Sequence, residues 1–97
     1  MATVNLALQA LPLSGASDRI AIIDQAIAAI ARSGLSYVVC PFETVVEGEY
    51  EAVMKLVTDL KQACFDAGAD ELIINMKLHA RAEKAVTIDE KLAKYRE

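Results

Sequence analysis

Four short stretches of the chain have hydrophobic patterns that predict β-strands. Residues 3–11 and 72–79 alternate between apolar and other side chains, which is the period of a strand with one buried face. Residues 35–41 and 42–47 are rich in β-branched and aromatic residues. Pro41 lies between them and should end the earlier strand or place it at a sheet edge. We therefore predict four strands in this order.

A helix is predicted between the first two strands. A turn at residues 12–16 precedes it, either Ser17 or Asp18 can cap its first turn, and Gly34 ends it. Apolar residues recur within it at helical spacing. The stripe expected to face the core consists of Ile20, Ile23, Ile27 and Ile30, with Ala26 beside them.

A second helix is predicted between the third and fourth strands. Gly48 should break the third strand before it, and Gly68 should cap its end. Its apolar stripe consists of Val53, Leu56, Val57, Leu60 and Cys64. The last stretch, Thr87 to Glu97, predicts a short amphipathic helix with Ile88, Leu92 and Tyr95 on one side.

The predicted order is β-α-β-β-α-β followed by a C-terminal helix, which is the split βαβ arrangement of a ferredoxin-like α+β sandwich. We expect one domain over residues 1–97, with a four-stranded antiparallel sheet. Two helices can cover only one face of that sheet, so the other face should be open unless a partner covers it.

The period of two assigns residues to the open face of the sheet. If Val4, Leu6 and Leu8 face the helices, their neighbours face away. The predicted open face carries Asn5, Ala7, Gln9, Ser36, Val38, Cys40, Ile73, Asn75 and Lys77. This mixture of apolar side chains, amides and a hydroxyl suits a small polar ligand held between two sheets.

Composition and charge exclude several classes of protein. The 97 residues have a formal net charge of −4, and Lys and Arg form no cluster, which argues against binding to nucleic acid or to an anionic membrane surface. No run approaches the roughly 18 apolar residues of a membrane-spanning helix, and residues 1–12 lack the basic start of a signal peptide. The two cysteines are too few for a disulfide framework, which favours a cytoplasmic location.

Hydrophobic residues make up 55% of the chain, which is a surplus for a domain of this size. Such a small domain buries only roughly 60–65% of the surface that its unfolded chain exposes. We therefore expect part of the apolar surface to meet another subunit of a homo-oligomer.

Catalytic and metal-binding motifs are not found in the sequence. It contains no glycine-rich phosphate loop, no paired cysteine motif and no nucleophile elbow, and His79 is its only histidine. An acylphosphatase-like enzyme would need an arginine in the loop after the first strand, and residues 12–18 contain none. An enzyme is thus the least favoured hypothesis, and we expect no catalytic residue, metal or cofactor.

The densest polar feature is acidic and lies around the third strand. Glu49 and Glu51 are explained by the positive end of the second helix. Glu43 and Thr44 lie earlier, beside Pro41, where a helix dipole does not explain them. A partly buried carboxylate needs a partner, so Glu43 is either an ordinary surface residue or the anchor of a cationic ligand.

The segment Pro41-Phe42-Glu43-Thr44-Val45-Val46-Glu47-Gly48-Glu49-Tyr50 resembles the thiamine-binding protein family of the YkoF-like superfamily. Further similarities are the Leu11-Pro12 end of the first strand, residues 67–69, and the tail at residues 87–91, so the resemblance covers nearly the whole chain. The chain departs from the family in its alanine-rich first helix and in Val45-Val46, which affects packing more than binding.

The resemblance implies a ferredoxin-like subunit that assembles into dimers and tetramers with sheets packed face to face. It also implies non-catalytic binding of thiamine or its hydroxymethylpyrimidine moiety, in support of uptake or salvage. Of the expected ligand-binding residues, Glu43 and Thr44 lie in the family motif, whereas Gln9, Ser36 and Asn75 follow from strand alternation alone. The alternative is a regulatory or scaffold oligomer whose open sheet face serves only subunit packing.

Overall fold

The computed structural model describes residues 3–13 and 18–95. Its elements follow the predicted order, so the βαββαβ prediction is confirmed. They are β1 (Thr3–Pro12), α1 (Arg19–Arg32), β2 (Ser36–Val39), β3 (Thr44–Glu49), α2 (Tyr50–Asp66), β4 (Leu72–His79) and α3 (Ile88–Leu92), which continues into a 3₁₀ turn at Ala93–Tyr95.

The four strands form one antiparallel sheet in the order β2-β3-β1-β4. The long β1 lies in the middle, where Leu6 is opposite Val46 on β3 and Leu78 on β4. Non-sequential neighbours in an antiparallel sheet with two crossing helices define the ferredoxin-like α+β sandwich that the sequence predicted.

The core lies between one sheet face and the two long helices. Directly opposed residues in a sheet share a face, so the register places Leu6 and Val46 together on the helix side, as alternation predicted. Both are buried, as are Val4 and Leu8 on β1. The stripe of α2 meets them, with Val53, Leu56, Leu60 and Cys64 buried and Val57 partly buried.

The predicted buried stripe of α1 is only partly correct. The buried residues are Ile22, Ala26, Ala29 and Ile30, whereas Ile20 is 74% exposed and Ile23 is also exposed. Ala26 and Ala29 have short side chains, so α1 can lie close to its neighbours along the alanine side. The face in contact is therefore rotated away from the isoleucine stripe, which leaves apolar surface on the outside of the helix.

Gly48 does not break β3, contrary to the sequence prediction. The strand starts at Thr44 rather than Phe42, includes Gly48 opposite Val4, and ends at Glu49. A Cβ at this position would lie 2.7 Å from Cδ2 of Leu35, so any larger residue would require the Leu35 side chain to shift. Close packing of Leu35 over the strand, rather than a turn, thus accounts for this glycine.

The ends of the helices mostly agree with the sequence. Part of the predicted turn at 12–16 and the alternative cap Ser17 lie outside the described residues, and Asp18 is the N-cap of α1, its Oδ1 accepting a hydrogen bond from the Ala21 amide at 3.0 Å. Gly34 and Gly68 have positive φ angles of 78° and 111° after the two helices, a conformation that glycine adopts at little cost.

Candidate ligand-binding site

The sheet face opposite the helices is the open face that alternation predicted. On β1, Asn5 lies between Glu47 and His79, and Ala7 lies between Val45 and Lys77. Gln9 lies beside Asn75, to which it is hydrogen-bonded. Ser36 and Val38 of β2 are opposite Glu47 and Val45, which places them on this face as well.

The C-terminal segment, residues 80–95, lies across one end of this face, and we call it the C-terminal strap. The amide of Val86 donates to the Thr3 carbonyl at 3.0 Å, and its side chain is completely buried. Asn5 Nδ2 donates to the Val86 carbonyl at 3.1 Å, and the Ile88 amide donates to the Glu47 carboxylate. The sheet is therefore covered at this end by its own chain.

The start of α3 is fixed within the strap by a reciprocal cap and an ion pair. Thr87 Oγ1 accepts from the Glu90 amide at 3.1 Å, and Glu90 Oε1 accepts from the Thr87 amide at 2.8 Å. Arg81 Nη1 lies 2.8 Å from the same carboxylate oxygen and also donates to the Ala85 carbonyl.

The hydrogen bond from Arg81, followed by that from the Thr87 backbone, lowers the pKa of Glu90 to about 2. A carboxylate whose pKa is depressed on folding stabilises the native state above its unfolded pKa, and this contribution is lost as the pH falls through the folded value. The cap and ion pair should therefore hold the strap at neutral pH and weaken between about pH 4.5 and pH 2.

A cavity of about 310 Å³ lies on the open face, bordered by the strap. Its walls are mainly apolar and come from the sheet residues Ala7, Val38, Cys40 and Val45 and the strap residues Ile88 and Leu92. Polar groups are few: Asn5, Glu43, Lys77, His79 and Lys91. An apolar cavity with few polar groups is typical of a binding site for a small molecule.

Glu43 and Lys77 provide the opposite charges of this cavity. Lys77 Nζ lies 3.9 Å from Glu43 Oε1, at the limit of an ion pair, and their side chains are 83% and 35% exposed. A contact this long and this exposed contributes little to stability. The Glu43 carboxylate can therefore exchange Lys77 for a cationic or amine group of a ligand at small cost.

Three of the predicted site residues lie together beside this cavity. Gln9, Glu43 and Asn75 line a neighbouring depression of about 420 Å³ with Lys77 and the exposed ring of Phe42. Asn75 Nδ2 donates to Gln9 Oε1 at 3.1 Å, so the two amides form one polar surface. Glu43 borders both the depression and the cavity and connects them.

The other two predicted residues do not line this depression. Thr44 is buried on the helix-covered face, opposite Leu8, and lines a second cavity beneath α1 that Glu43 and Gln9 also border. Ser36 is exposed at the far end of β2 and lines none of the cavities described above. The structure therefore groups Glu43 with Gln9 and Asn75 and does not bring Ser36 to them.

Sequence reasoning missed several residues that line the cavity. Alternation placed Asn5 and Lys77 on the open face, and His79 lies on the same side of β4, but none of the three was among the expected ligand-binding residues. Ile88 and Leu92 were correctly placed on one side of a helix, but nothing in their spacing indicates which surface that side meets.

Two other features bear on the kind of protein. None of the helices in residues 3–13 and 18–95 is long and apolar enough to cross a membrane, and no group of three or more metal-ligating side chains occurs in those ranges. Cys40 and Cys64 are free thiols, and burial raises the pKa of Cys64.

Several known proteins are similar to this chain in sequence and in fold. A UPF0045 protein of Clostridium perfringens is 33% identical over 96 residues, which is 99% of this chain and 100% of that protein. A domain of unknown function, DUF77, from Bacillus cereus has a TM-score of 0.94 at 38% identity and matches 99% of this chain and 92% of its own. A Thermotoga maritima protein, proposed to act in thiamine biosynthesis or salvage, has a TM-score of 0.87 at 31% identity and matches 97% and 99% of the two chains.

The fold and the open-face cavity define a small α+β protein of ferredoxin-like topology with a pocket on its sheet. The sequence profile of the thiamine-binding proteins matches residues 6–96. The chain therefore belongs to the thiamine-binding protein family, which confirms the resemblance seen in its sequence.

Proposed function

We propose that this protein is a non-catalytic cytoplasmic binding protein for thiamine or its hydroxymethylpyrimidine moiety, acting in support of thiamine uptake or salvage. The observation that carries the proposal is the open-face cavity, in which apolar walls surround a carboxylate that has only a weak partner. Membership of the thiamine-binding family supports this choice of ligand class.

The chemistry of the cavity suits such a ligand. A pyrimidine ring is flat and largely apolar at its faces, and Ala7, Val38 and Val45 offer it a smooth wall. The ring carries an amine and thiamine carries a thiazolium cation, and both are attracted by the Glu43 carboxylate. Displacing the exposed Lys77 from Glu43 costs little, so most of this attraction is available for binding.

A homo-oligomer, with a dimer of dimers as the expected form, is part of the proposal. The strap covers only the Asn5 end of the open face, and the other end leaves apolar side chains such as Val38 and Ile73 exposed. A second copy whose sheet packs on this end would remove them from water and enclose the depression at Glu43.

Replacing Glu43 with glutamine is expected to weaken thiamine binding by about tenfold to a hundredfold, because a charge-assisted hydrogen bond contributes about 1.5–3 kcal/mol. Isothermal titration calorimetry on protein shown to be free of copurified ligand measures this. Glu51→Gln removes the same charge from the exposed first turn of α2 and should leave the affinity unchanged.

The proposal fails if the wild-type protein gives no heat of binding with either thiamine or hydroxymethylpyrimidine. If Glu43→Gln and Thr44→Ala alter only the subunit number or the melting temperature, the scaffold alternative is correct. Native mass spectrometry of the same samples reports the subunit number directly.

A further inference from the structure

Asn5 has a buried carboxamide whose orientation is fixed by its neighbours. The residue is 3% exposed, and its Nδ2 donates to the Val86 carbonyl at 3.1 Å and to Glu47 Oε1 at 3.4 Å. Both partners are acceptors, so turning the amide over would place oxygen against oxygen. The nitrogen therefore faces the strap and Glu47, and the oxygen is turned away from them.

The oxygen of this amide, Oδ1, is a buried acceptor with no hydrogen-bond partner among the described residues. Such atoms are uncommon in folded proteins, because burial removes a carbonyl oxygen from water and nothing replaces the lost hydrogen bonds. Asn5 also lines the open-face cavity, as do Lys91 and His79, whose side chains are exposed.

The positions of Asn5 and Glu43 define two different ends of the cavity. Asn5 lies at the strap end and Glu43 at the opposite end, beside Gln9. Gln9 is four residues further along β1, which corresponds to roughly 13 Å at the rise of a strand. The cavity therefore has an uncharged acceptor at one end and an anion at the other.

We propose that Asn5 Oδ1 accepts a hydrogen bond from an aromatic amine of the ligand, an inference that rests on the proposed function. The amine-bearing ring lies against the strap, and any positive charge of the ligand extends towards Glu43. Asn5 is thus a specificity-determining residue, because a ligand without the N–H donor leaves the buried oxygen unsatisfied.

The experiment compares two pyrimidines that differ only in the donor. Calorimetry on ligand-free wild-type protein measures the affinity for 4-amino-5-hydroxymethyl-2-methylpyrimidine and for the analogue in which hydrogen replaces the amine. The analogue is expected to bind at least about tenfold more weakly. Equal affinities would overturn the inference while leaving the proposed function intact.

A variant tests recognition by Asn5 directly. Asn5→Ala should reduce the preference for the amine to less than about threefold. Gln62→Ala, on the exposed side of α2, is the control and should keep the wild-type preference.

Two results bear against the inference. Retention of the preference in Asn5→Ala overturns it. If Asn5→Ala does not fold, the comparison of the two ligands on wild-type protein still decides. Failure of the wild-type protein to bind thiamine or either pyrimidine overturns the proposed function, and this inference with it.

Discussion

Replacing Leu6 with alanine is expected to lower the free energy of unfolding by about 2–5 kcal/mol, the largest loss of any single change considered. Leu6 is 1% exposed at the middle of the central strand, with Val46 on one side and core residues of the helices above it. Neighbouring strands hold its surroundings in place, so the space left by the side chain cannot collapse easily. Denaturant unfolding followed by circular dichroism measures the change.

Leu78 provides a matched control, because it lies opposite Leu6 in the sheet but is 48% exposed. Leu78→Ala should cost less than half as much, since much of that side chain remains in water in the native state. For a domain of this size each kcal/mol corresponds to a fall in melting temperature of about 4–8 °C. Equal losses in the two variants would contradict the burial of Leu6 at the centre of the core.

Replacing Glu47 with alanine is expected to release the C-terminal strap from the sheet. The carboxylate accepts from the Ile88 amide and from Asn5 Nδ2. Its removal leaves the part-buried Ile88 amide without this partner and leaves Asn5 Nδ2 with the Val86 carbonyl alone. Hydrogen bonds to charged groups contribute about 1.5–3 kcal/mol. Losing this contribution should lower the free energy of opening the strap by about that amount. Hydrogen exchange measured by NMR should show the Ile88 amide losing about tenfold to a hundredfold in protection.

Glu49→Ala is the control for the strap, because this carboxylate lies two residues further along β3 and is exposed. It should leave the protection of the Ile88 amide unchanged. A uniform loss of protection over the whole sheet in Glu47→Ala would indicate general destabilisation instead. Retained protection of the Ile88 amide would show that Glu47 does not hold the strap.

The sheet and its two faces could be predicted because β1 has a simple periodicity. Its alternation determines which residues face the buried side of the sheet. The pairing of β1 with its neighbours extends this assignment to β3 and β4. The same rule correctly grouped Gln9 with Asn75 on the open face. It also places Thr44, opposite Leu8, on the helix-covered face, whereas Glu43 precedes the strand and borders cavities on both faces. A direct role of Thr44 in binding stays a prediction.

Other features could not be predicted from local patterns. On α1 the choice between two apolar stripes depends on how closely Ala26 and Ala29 allow the helix to approach its neighbours. The end of the open face that the strap covers depends on contacts between residues more than 80 positions apart, such as Asn5 with Val86. Helical periodicity shows that Ile88 and Leu92 need an apolar partner, but it does not identify that partner.

The central claim is that the ligand binds on the open sheet face, between the strap and Glu43. Titration of isotope-labelled, ligand-free protein with thiamine, followed by backbone NMR, tests it most directly because it reports binding and its location together. The predicted result is saturable shifts concentrated at Asn5, Ala7, Lys77 and Ile88, with little change along the outer side of α2. The absence of shifts, or shifts confined to the helix-covered side of the sheet, would contradict it.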